Sequence, residues 1–396
     1  MGAIHDRLGL VPVINASGTM TALGASRVVP EAREAVAEIL AAFVDIAALQ
    51  KRASRAIAEA TGAEAGFVTS SSASGMVLGV AAAMTGADPA AIERLPDTQG
   101  MKDEVVIQAG HLVNFGAPVG QMIALAGARA VAVGTAFDVQ PFHLEAALDE
   151  RTAAAMFVVS HHVVPTGQVD LATFIRTAHA QGVPVIVDMA SEYDLTGAVA
   201  LGADLVIWSA HKFLGGPTAG IVAGKHDLVR AAYLQHRGIG RAMKVGKEGI
   251  AGAILALEAW GRRDHAAVRA GEMKIVEYWL AALAGVAGLA LRVLPDWTGN
   301  PIDRVEVTVG EASGLHAWEL AERLAARNPS IRVRDDMVEA GVLHLDPCNL
   351  DAGEAALVST AIRDEVEAAL ARGDGRRQTF GEFRAANLAD ALSFPG

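Results

Sequence analysis

The segment between Val185 and Gly220 constrains the fold of this chain more than any other. It contains two apolar runs, VIVDM and LVIWS, which end in polar residues at Asp188 and Ser209. Uninterrupted apolar runs of this length are typical of strands that are buried on both faces of a parallel sheet. Ligands bind to such sheets at the carboxyl ends of the strands. The segment therefore predicts two strands of an α/β sheet with a binding site where they end.

Similar strand patterns alternate with helical patterns along most of the chain. The apolar runs begin at Gly66, Val105, Ala130, Ala154, Val183, Ala203 and Gly220. Helical stretches such as residues 171–181 are long enough to connect parallel strands by crossovers. The chain is 52% hydrophobic, with many Ala and Gly residues, and this composition suits helices packed closely on a sheet. We predict an α/β fold with a large domain built on a mostly parallel seven-stranded sheet.

The pattern changes near residue 261. Strands at RVEVTVG, IRVRDD and VLHLDP then mix with helical patterns over residues 315–326 and 351–371, an order typical of a smaller α+β domain. Upstream, Pro30 opens a helical pattern that runs to Ala60. We predict four segments: an N-terminal arm at 1–30, a large domain at 31–260, a small α+β domain at 261–375 and a C-terminal tail without clear periodicity at 376–396.

Charge and apolar runs bear on the partners of the protein. The formal net charge of −12 and the pI near 5.5 disfavour a nucleic-acid-binding surface. The apolar run from Leu280 to Leu291 is shorter than the roughly 20 residues that cross a bilayer, so it predicts a buried helix. We expect neither a nucleic acid nor a membrane as a partner.

The first residues and the cysteine content bear on the compartment. The chain starts with charged residues before any apolar run, unlike a signal peptide. Its single cysteine, Cys348, excludes an intramolecular disulfide and is consistent with a reducing environment. We expect a cytoplasmic protein.

Asp188 and Lys212 are the pair that points to a cofactor. Pyridoxal phosphate (PLP) needs a carboxylate that keeps its pyridine nitrogen protonated and a lysine that binds its aldehyde as a Schiff base. A carboxylate at the end of a buried strand is costly without a cationic partner, and Lys212 lies between a buried strand and the tight turn GGP. The alternatives are an Asp that caps a loop and a solvent-exposed Lys. We predict PLP as the cofactor, with both residues in catalysis.

A serine-rich turn supplies an anion site for the phosphate of that cofactor. Ser71, Ser72 and Ala73 lie where a helix begins, so their hydroxyl and backbone N–H groups can bind an anion in the favourable field of the helix dipole. Ser209 adds a further hydroxyl. The alternative is an ordinary serine N-cap on a strand-to-helix turn.

Three histidines are candidates for the same site. His111 follows a strand, and we expect it to stack on the pyridine ring and assist catalysis. His211 precedes Lys212 and could tune its pKa or pack beside the cofactor. His162 follows another strand and could reach the cofactor oxygen or the substrate. For His111 and His162, an ordinary hydrogen-bonded loop histidine is the alternative.

Substrate binding is predicted at two further places. In GRAMKVGKEG, a helix would place Arg241, Lys244 and Glu248 on one face, where Lys244 could pair with Glu248 or bind an anionic substrate. Arg241 is the preferred group for a substrate carboxylate or phosphate. In the N-terminal arm, which we expect to lie over the site, Ser17 is the candidate.

With these residues in place, the chain resembles the fold type I PLP enzymes of the selenocysteine synthase-like group. The resemblance rests on INASGTMTALG, VTSSSASGM, IVDMASE, GADLVIWSAHKFLGGPTAG and GRAMKVGKEGI, which occur in the family's order. It implies that Lys212 forms the Schiff base, that Asp188 contacts the pyridine nitrogen and that homodimer subunits share the active site. This chain has Thr218 where the family has Gln, and Asp-Met-Ala-Ser-Glu from Asp188 where the family has Asp-Ala-Ala-Ala-Glu.

The resemblance implies a lyase of the ammonia-lyase kind. Lys212 would remove the Cα proton of a hydroxy amino acid, such as an amino sugar acid or its phosphate, and loss of the β-hydroxyl would lead to a 2-keto acid and ammonia. The same cofactor chemistry also serves racemases, aminotransferases and β-substitution enzymes such as selenium transferases. A non-enzymatic binding module would be expected to lack Lys212 or Asp188, and both are present.

Overall fold

The computed structural model describes residues 3–394, which pack as two compact units. One unit is Ser26–Arg263. The other combines the described residues up to Ala25 with those from Asp264 onward. The first unit thus ends two residues beyond the predicted boundary at residue 261, and the N-terminal residues group with the C-terminal unit.

Strands and helices alternate through the first unit. The described strands are β1 Val13–Ala16, β2 Ala65–Thr69, β3 Glu104–Gln108, β4 Arg129–Val133, β5 Thr152–Val158, β6 Val185–Asp188, β7 Leu205–Ser209, β8 Gly220–Gly224, β9 Leu289–Pro295, β10 Asp303–Val309, β11 Ser330–Val333 and β12 Val342–Leu345. The described α-helices are α1 Ala3–Leu8, α2 Pro30–Leu40, α3 Ile46–Thr61, α4 Ser72–Thr85, α5 Pro89–Arg94, α6 Val119–Leu125, α7 Pro141–Ala147, α8 Leu171–Ala180, α9 Gly197–Ala200, α10 His226–Leu234, α11 Lys247–Arg262, α12 His265–Leu283, α13 Ala317–Ala325, α14 Glu354–Arg372 and α15 Phe380–Leu392.

The large unit is built on a seven-stranded sheet in the order β2-β8-β7-β6-β5-β3-β4. Strand β8 runs antiparallel to both of its neighbours, and the other pairs are parallel. Because β8 reverses direction between them, β2 and β7 run the same way and end at the same edge of the sheet. The predicted α/β class with a mostly parallel seven-stranded sheet is confirmed.

Both faces of this sheet are covered. Along β6, Val187 belongs to one apolar cluster and Ile186 to the cluster on the opposite face. Along β7, Val206 and Trp208 face the first cluster, whereas Leu205 and Ile207 face the second. Side chains alternate between faces along a strand, so continuous apolar runs are what a doubly covered sheet requires.

The smaller unit contains two further sheets and its own core. Strand β10 lies between β9 and β12 in an antiparallel sheet, and β1 pairs in parallel with β11. Arg304 on β10 is buried and forms ion pairs with Asp296 and Asp346 at 2.6 and 2.7 Å. The pairing of β1 shows that part of the predicted arm, Val13–Ala16, is an integral strand of this unit.

Three local predictions were wrong. The helical pattern from Pro30 to Ala60 forms two helices, because Asp45 accepts a hydrogen bond from the N–H of Ala48 and thereby begins α3. The run from Leu280 to Leu291 is not one helix, because α12 ends at Leu283 and glycines with positive φ at 285 and 288 lead into β9. The C-terminal tail contains α15.

No helix within residues 3–394 is long and apolar enough to cross a membrane.

Glu319 attaches the C-terminal segment to the smaller unit. Its carboxylate accepts hydrogen bonds from the backbone N–H groups of His316 and of residues 376–378, at 2.8 to 3.3 Å. Burial opposes the charged form, yet these donors lower the pKa of Glu319 below its usual value.

We predict that Glu319→Gln lowers the free energy of unfolding by about 1–3 kcal/mol at pH 7, because an amide cannot accept from all four donors. Because the folded pKa is depressed, the difference should shrink as the pH falls through the folded pKa. Urea unfolding at several pH values measures this. Glu322→Gln, in the same helix, is the control, and equal losses in both variants would contradict the role of Glu319.

Candidate active site

The serine-rich turn begins helix α4 directly after β2. Ser71 is the N-cap, and its Oγ accepts a hydrogen bond from the N–H of Ser74 at 3.0 Å. The hydroxyls of Ser70 and Ser74 lie 2.7 Å apart. The N–H groups of Ser72 and Ala73 precede the first intrahelical bond and can bind an anion. Ser71 is therefore an N-cap, as the alternative interpretation held, while the turn keeps donors for a phosphate.

Close approach of β8 to this turn requires a glycine. Gly220 pairs with Thr69 in the sheet. A Cβ atom at position 220 would lie 2.1 Å from the carbonyl oxygen of Ser71 and 2.8 Å from the nitrogen of Ser72. Any side chain would thus push the turn away from the sheet edge. Sequence reasoning identified the turn GGPTAG but missed this contact.

Asp188 ends β6 inside the protein, with 6% of its surface exposed. It pairs with Ile207 of β7, so Ser209 lies one strand away at the same edge. Burial raises the pKa of Asp188 to about 6, although the N–H of Ala190, 3.1 Å from Oδ1, and the charge of Lys212 act in the opposite direction. A carboxylate in this position favours a cationic ligand.

Lys212 lies in a rigid turn that follows β7. Its backbone carbonyl accepts from the N–H of Gly215, which has a φ of +65°, and the N–H of Gly216 donates to the carbonyl of Ala210. The Nζ atom donates to Oγ of Ser191 at 2.5 Å. Ser191, three residues after Asp188, was not predicted, and its only signal was the departure from the family's Asp-Ala-Ala-Ala-Glu.

Ser209 and His211 complete the space between these elements. The hydroxyl of Ser209 donates to the hydroxyl of Ser72 at 2.9 Å, which joins the end of β7 to the start of α4. His211 is only 7% exposed, and neither ring nitrogen has a hydrogen-bond partner among the described residues. Burial and, to a smaller extent, the charge of Lys212 lower the pKa of His211 to about 4, so the ring is neutral near pH 7.

These features fit pyridoxal phosphate. An imidazole that is buried without a partner indicates a ligand atom nearby. The donors at the start of α4 suit a phosphate, and the buried carboxylate of Asp188 suits a protonated ring nitrogen. Lys212 supplies the amine that the aldehyde requires.

His111 lies in a turn after β3 and is buried. Its Nδ1 accepts from the N–H of Val158 at 3.1 Å, and its ring meets that of Phe157 edge to face, with centroids 4.4 Å apart. Burial lowers its pKa to about 4. Val158 pairs with Asp188, so His111 belongs to the same edge of the sheet.

His162 lies in the exposed loop after β5. Its ring packs on that of His161, with centroids 3.9 Å apart, and its N–H donates to the hydroxyl of Ser160. The structure thus leaves the ring accessible, and its contact with a substrate stays a prediction.

The predicted helical face of Arg241, Lys244 and Glu248 is wrong. Residues Ile239–Met243 form a 3₁₀-helix, Lys244 is extended with a ψ of 143°, and α11 begins only at Lys247. Arg241 and Lys244 are both exposed. Thr69, at the end of β2, donates to the carbonyl of Met243 at 3.2 Å, which ties this segment to the phosphate turn.

Ser17 belongs to the smaller unit, where it is buried and its hydroxyl donates to Oδ1 of Asn15 at 2.8 Å. Its role toward a substrate stays a prediction.

Comparisons with known proteins agree with this arrangement. The SelA family model, described as L-seryl-tRNA selenium transferase, matches residues 13–314. D-glucosaminate-6-phosphate ammonia lyase from Salmonella typhimurium is 39% identical over 92% of this chain and 98% of its own length. A 5'-C-glycyluridine monooxygenase-decarboxylase from a Streptomyces species is 38% identical over 89% of this chain and 90% of its own. An L-seryl-tRNA(Sec) selenium transferase from Serratia proteamaculans is 28% identical over 75% and 67%.

Solved structures lead to the same group. The structure of D-glucosaminate-6-phosphate ammonia-lyase superposes with a TM-score of 0.84 at 38% identity and covers 93% of this chain and 100% of that one. A NifS-like protein superposes with a TM-score of 0.60 at 15% identity, over 91% of this chain and 100% of that one. The second likeness concerns the fold alone, and the predicted fold type I architecture is confirmed.

We predict that Asp188→Asn stabilises the cofactor-free protein by about 3 kcal/mol at pH 8. The folded-state pKa of about 6 lies above the ordinary value of 3.8, so the native state carries an unfavourable charge at high pH. Below pH 4 both states are protonated and the gain should disappear. Urea unfolding at pH 4, 6 and 8 measures the difference.

Asp227→Asn is the control for this experiment, because the side chain of Asp227 is 98% exposed. A gain for Asp188→Asn that is the same at every pH would contradict the electrostatic explanation.

Proposed function

The chain belongs to the SelA family, the selenocysteine synthase-like group of PLP enzymes, and we propose on this basis that it is an ammonia lyase for a hydroxy amino acid. The observation that carries the proposal is the 39% identity to an ammonia lyase over 92% of the chain. It is supported by Asp188 and Lys212, which lie at one edge of the sheet as such chemistry requires.

The cofactor would be held by residues from three strand ends. The N–H groups of Ser72 and Ala73, the Ser71 turn and the hydroxyl of Ser209 would bind the phosphate together with His211, while Asp188 would face the pyridine nitrogen. When bound, PLP supplies an electron sink for the charge that develops at the substrate Cα. His111 would lie against the ring.

Asp188 and Lys212 have distinct tasks. The buried carboxylate of Asp188 gains a cationic partner and so keeps a proton on the opposing ring nitrogen. The amine of Lys212 is held at one position by its rigid turn, which suits it to accept the proton from the substrate Cα. Exclusion of water from the neighbouring side chains keeps that proton from exchanging freely.

The substrate would be anionic. The relative's name specifies an amino sugar acid that carries a phosphate. Arg241 and Lys244 present two exposed cations on the segment that Thr69 joins to the phosphate turn, and they would bind a carboxylate or phosphate of the substrate. His162 and Ser17 remain proposed substrate contacts.

A second candidate is an oxygen-dependent decarboxylase. The relative named as a monooxygenase-decarboxylase is 38% identical over 89% of the chain, almost the same as the lyase. The two outcomes differ at Cα, where one loses a proton and the other a carboxylate. Selenium transfer to a tRNA is less suited to this chain, because its net charge of −12 opposes an RNA ligand. Racemase and aminotransferase reactions use the same cofactor, but no relative described above supports them.

The assembly and compartment are part of the proposal. We infer a homodimer whose subunits share the active site, as the family resemblance implies, in a reducing cytoplasm consistent with the single cysteine.

The decisive assay incubates the PLP-loaded protein with D- and L-hydroxy amino acids and with amino sugar acids and their phosphates. We predict equal amounts of ammonia and 2-keto acid without oxygen uptake, and no product from Lys212→Ala. Borohydride reduction should attach the cofactor to Lys212, with Lys225→Ala as the matched control. Oxygen uptake with release of carbon dioxide would instead support the decarboxylase.

We predict that Arg241→Ala raises the KM of the anionic substrate about tenfold with little change in kcat, because the lost interaction binds substrate and transition state alike. Arg230→Ala, an exposed arginine of α10, is the control. Steady-state kinetics with phosphorylated and unphosphorylated substrates measure the effect, and an unchanged KM would assign Arg241 to structure.

A further inference from the structure

The hydroxyl of Ser191 is the hydrogen-bond partner that the structure gives to the Lys212 amine. The Nζ and Oγ atoms are 2.5 Å apart, and Ser191 is partly buried. Ser191 is separate from the groups that would hold the phosphate and the ring nitrogen. It meets instead the atom that would join the cofactor.

The contact is built into the backbone of both loops. The N–H of Met189 donates to the carbonyl of Ile207 at 2.8 Å, and the N–H of Ser209 donates to the carbonyl of Ala190 at 3.2 Å. These bonds continue the β6–β7 pairing beyond the strands. They hold the residue before Ser191 against the turn that carries Lys212, so the hydroxyl and the amine meet.

The chemistry of a hydroxyl suits this position. A serine hydroxyl accepts from an ammonium group and donates to a neutral amine, so it can hold lysine in either protonation state. The charged or titratable neighbours that interact electrostatically with Lys212 are Asp188 and His211. Burial keeps His211 neutral near pH 7, and a carboxylate could only accept.

We propose that Ser191 is a positioning residue for Lys212, which holds the amine where it joins the cofactor and where it exchanges a proton with the substrate. The inference rests on the proposed role of Lys212 and is independent of which substrate the enzyme uses. It adds a residue that none of the cofactor-binding groups named above replaces.

The test compares Ser191→Ala and Ser191→Thr with the unaltered chain. The first readout is the rate at which the full-length, cofactor-free protein takes up PLP, followed by absorbance from pH 6 to pH 10. In Ser191→Ala the limiting rate at high pH should fall about tenfold, since a charge-assisted hydrogen bond is lost. The midpoint of the profile should move to lower pH, because the ammonium form loses its acceptor. Ser191→Thr, which keeps a hydroxyl, should restore both.

The second readout needs no cofactor. Acetic anhydride labels neutral amines, and peptide mass spectrometry gives the labelling rate of Lys212 against pH. We expect its midpoint to fall in Ser191→Ala and not in Ser191→Thr. Ser54→Ala is the matched control, because the hydroxyl of Ser54 accepts from the N–H of Gly66 near the start of β2, far along the strand from the site.

Unchanged profiles in Ser191→Ala would overturn the inference while leaving the proposed function intact. Equal losses in the Ala and Thr variants would also overturn it, because the hydroxyl would then not be the cause. A labelling shift in a protein that never binds PLP would support the contact and refute the proposed function.

Discussion

The structure of the site depends on one buried carboxylate. Asp188 lies at the end of a strand that is covered on both faces, and its raised pKa shows that the charged form is unfavourable without a cation. A protonated pyridine nitrogen reverses that preference. The same burial that makes the apo site unfavourable therefore makes the cofactor's ring electron-poor, which is the property that Cα chemistry requires.

The sheet brings the partners of Asp188 to one edge. Because β6 and β7 are parallel and in register, Ser209 and the Lys212 turn lie beside the Asp188 loop. Reversal of β8 lets β2 end at the same edge, and Gly220 allows the turn at Ser71 to pack against it. The hydrogen bond between Ser72 and Ser209 joins the two halves. Phosphate binding and Schiff-base formation are thus properties of one edge.

Much of this was predictable because the signals were local. Apolar runs identified the seven strands of the large sheet, and the spacing between a strand-ending Asp and a Ser-Ala-His-Lys identified the cofactor pair. The break at Asp45, the strand Leu289–Pro295 and the 3₁₀-helix around Arg241 were missed. In each case a short turn or cap interrupts a pattern whose average still reads as one element, so periodicity alone could not locate the interruption.

The amino-acid sequence by itself determined the class of fold, the strands that carry the site and the identity of the cofactor-binding pair, since those follow from hydrophobic patterning and from residue chemistry along single segments. Only the tertiary structure decided that Ser191 meets Lys212, that Gly220 must lack a side chain and that His211 is buried with no partner among the described residues. These depend on distances between segments that are remote in the chain, and such distances are set by strand register and packing rather than by local sequence.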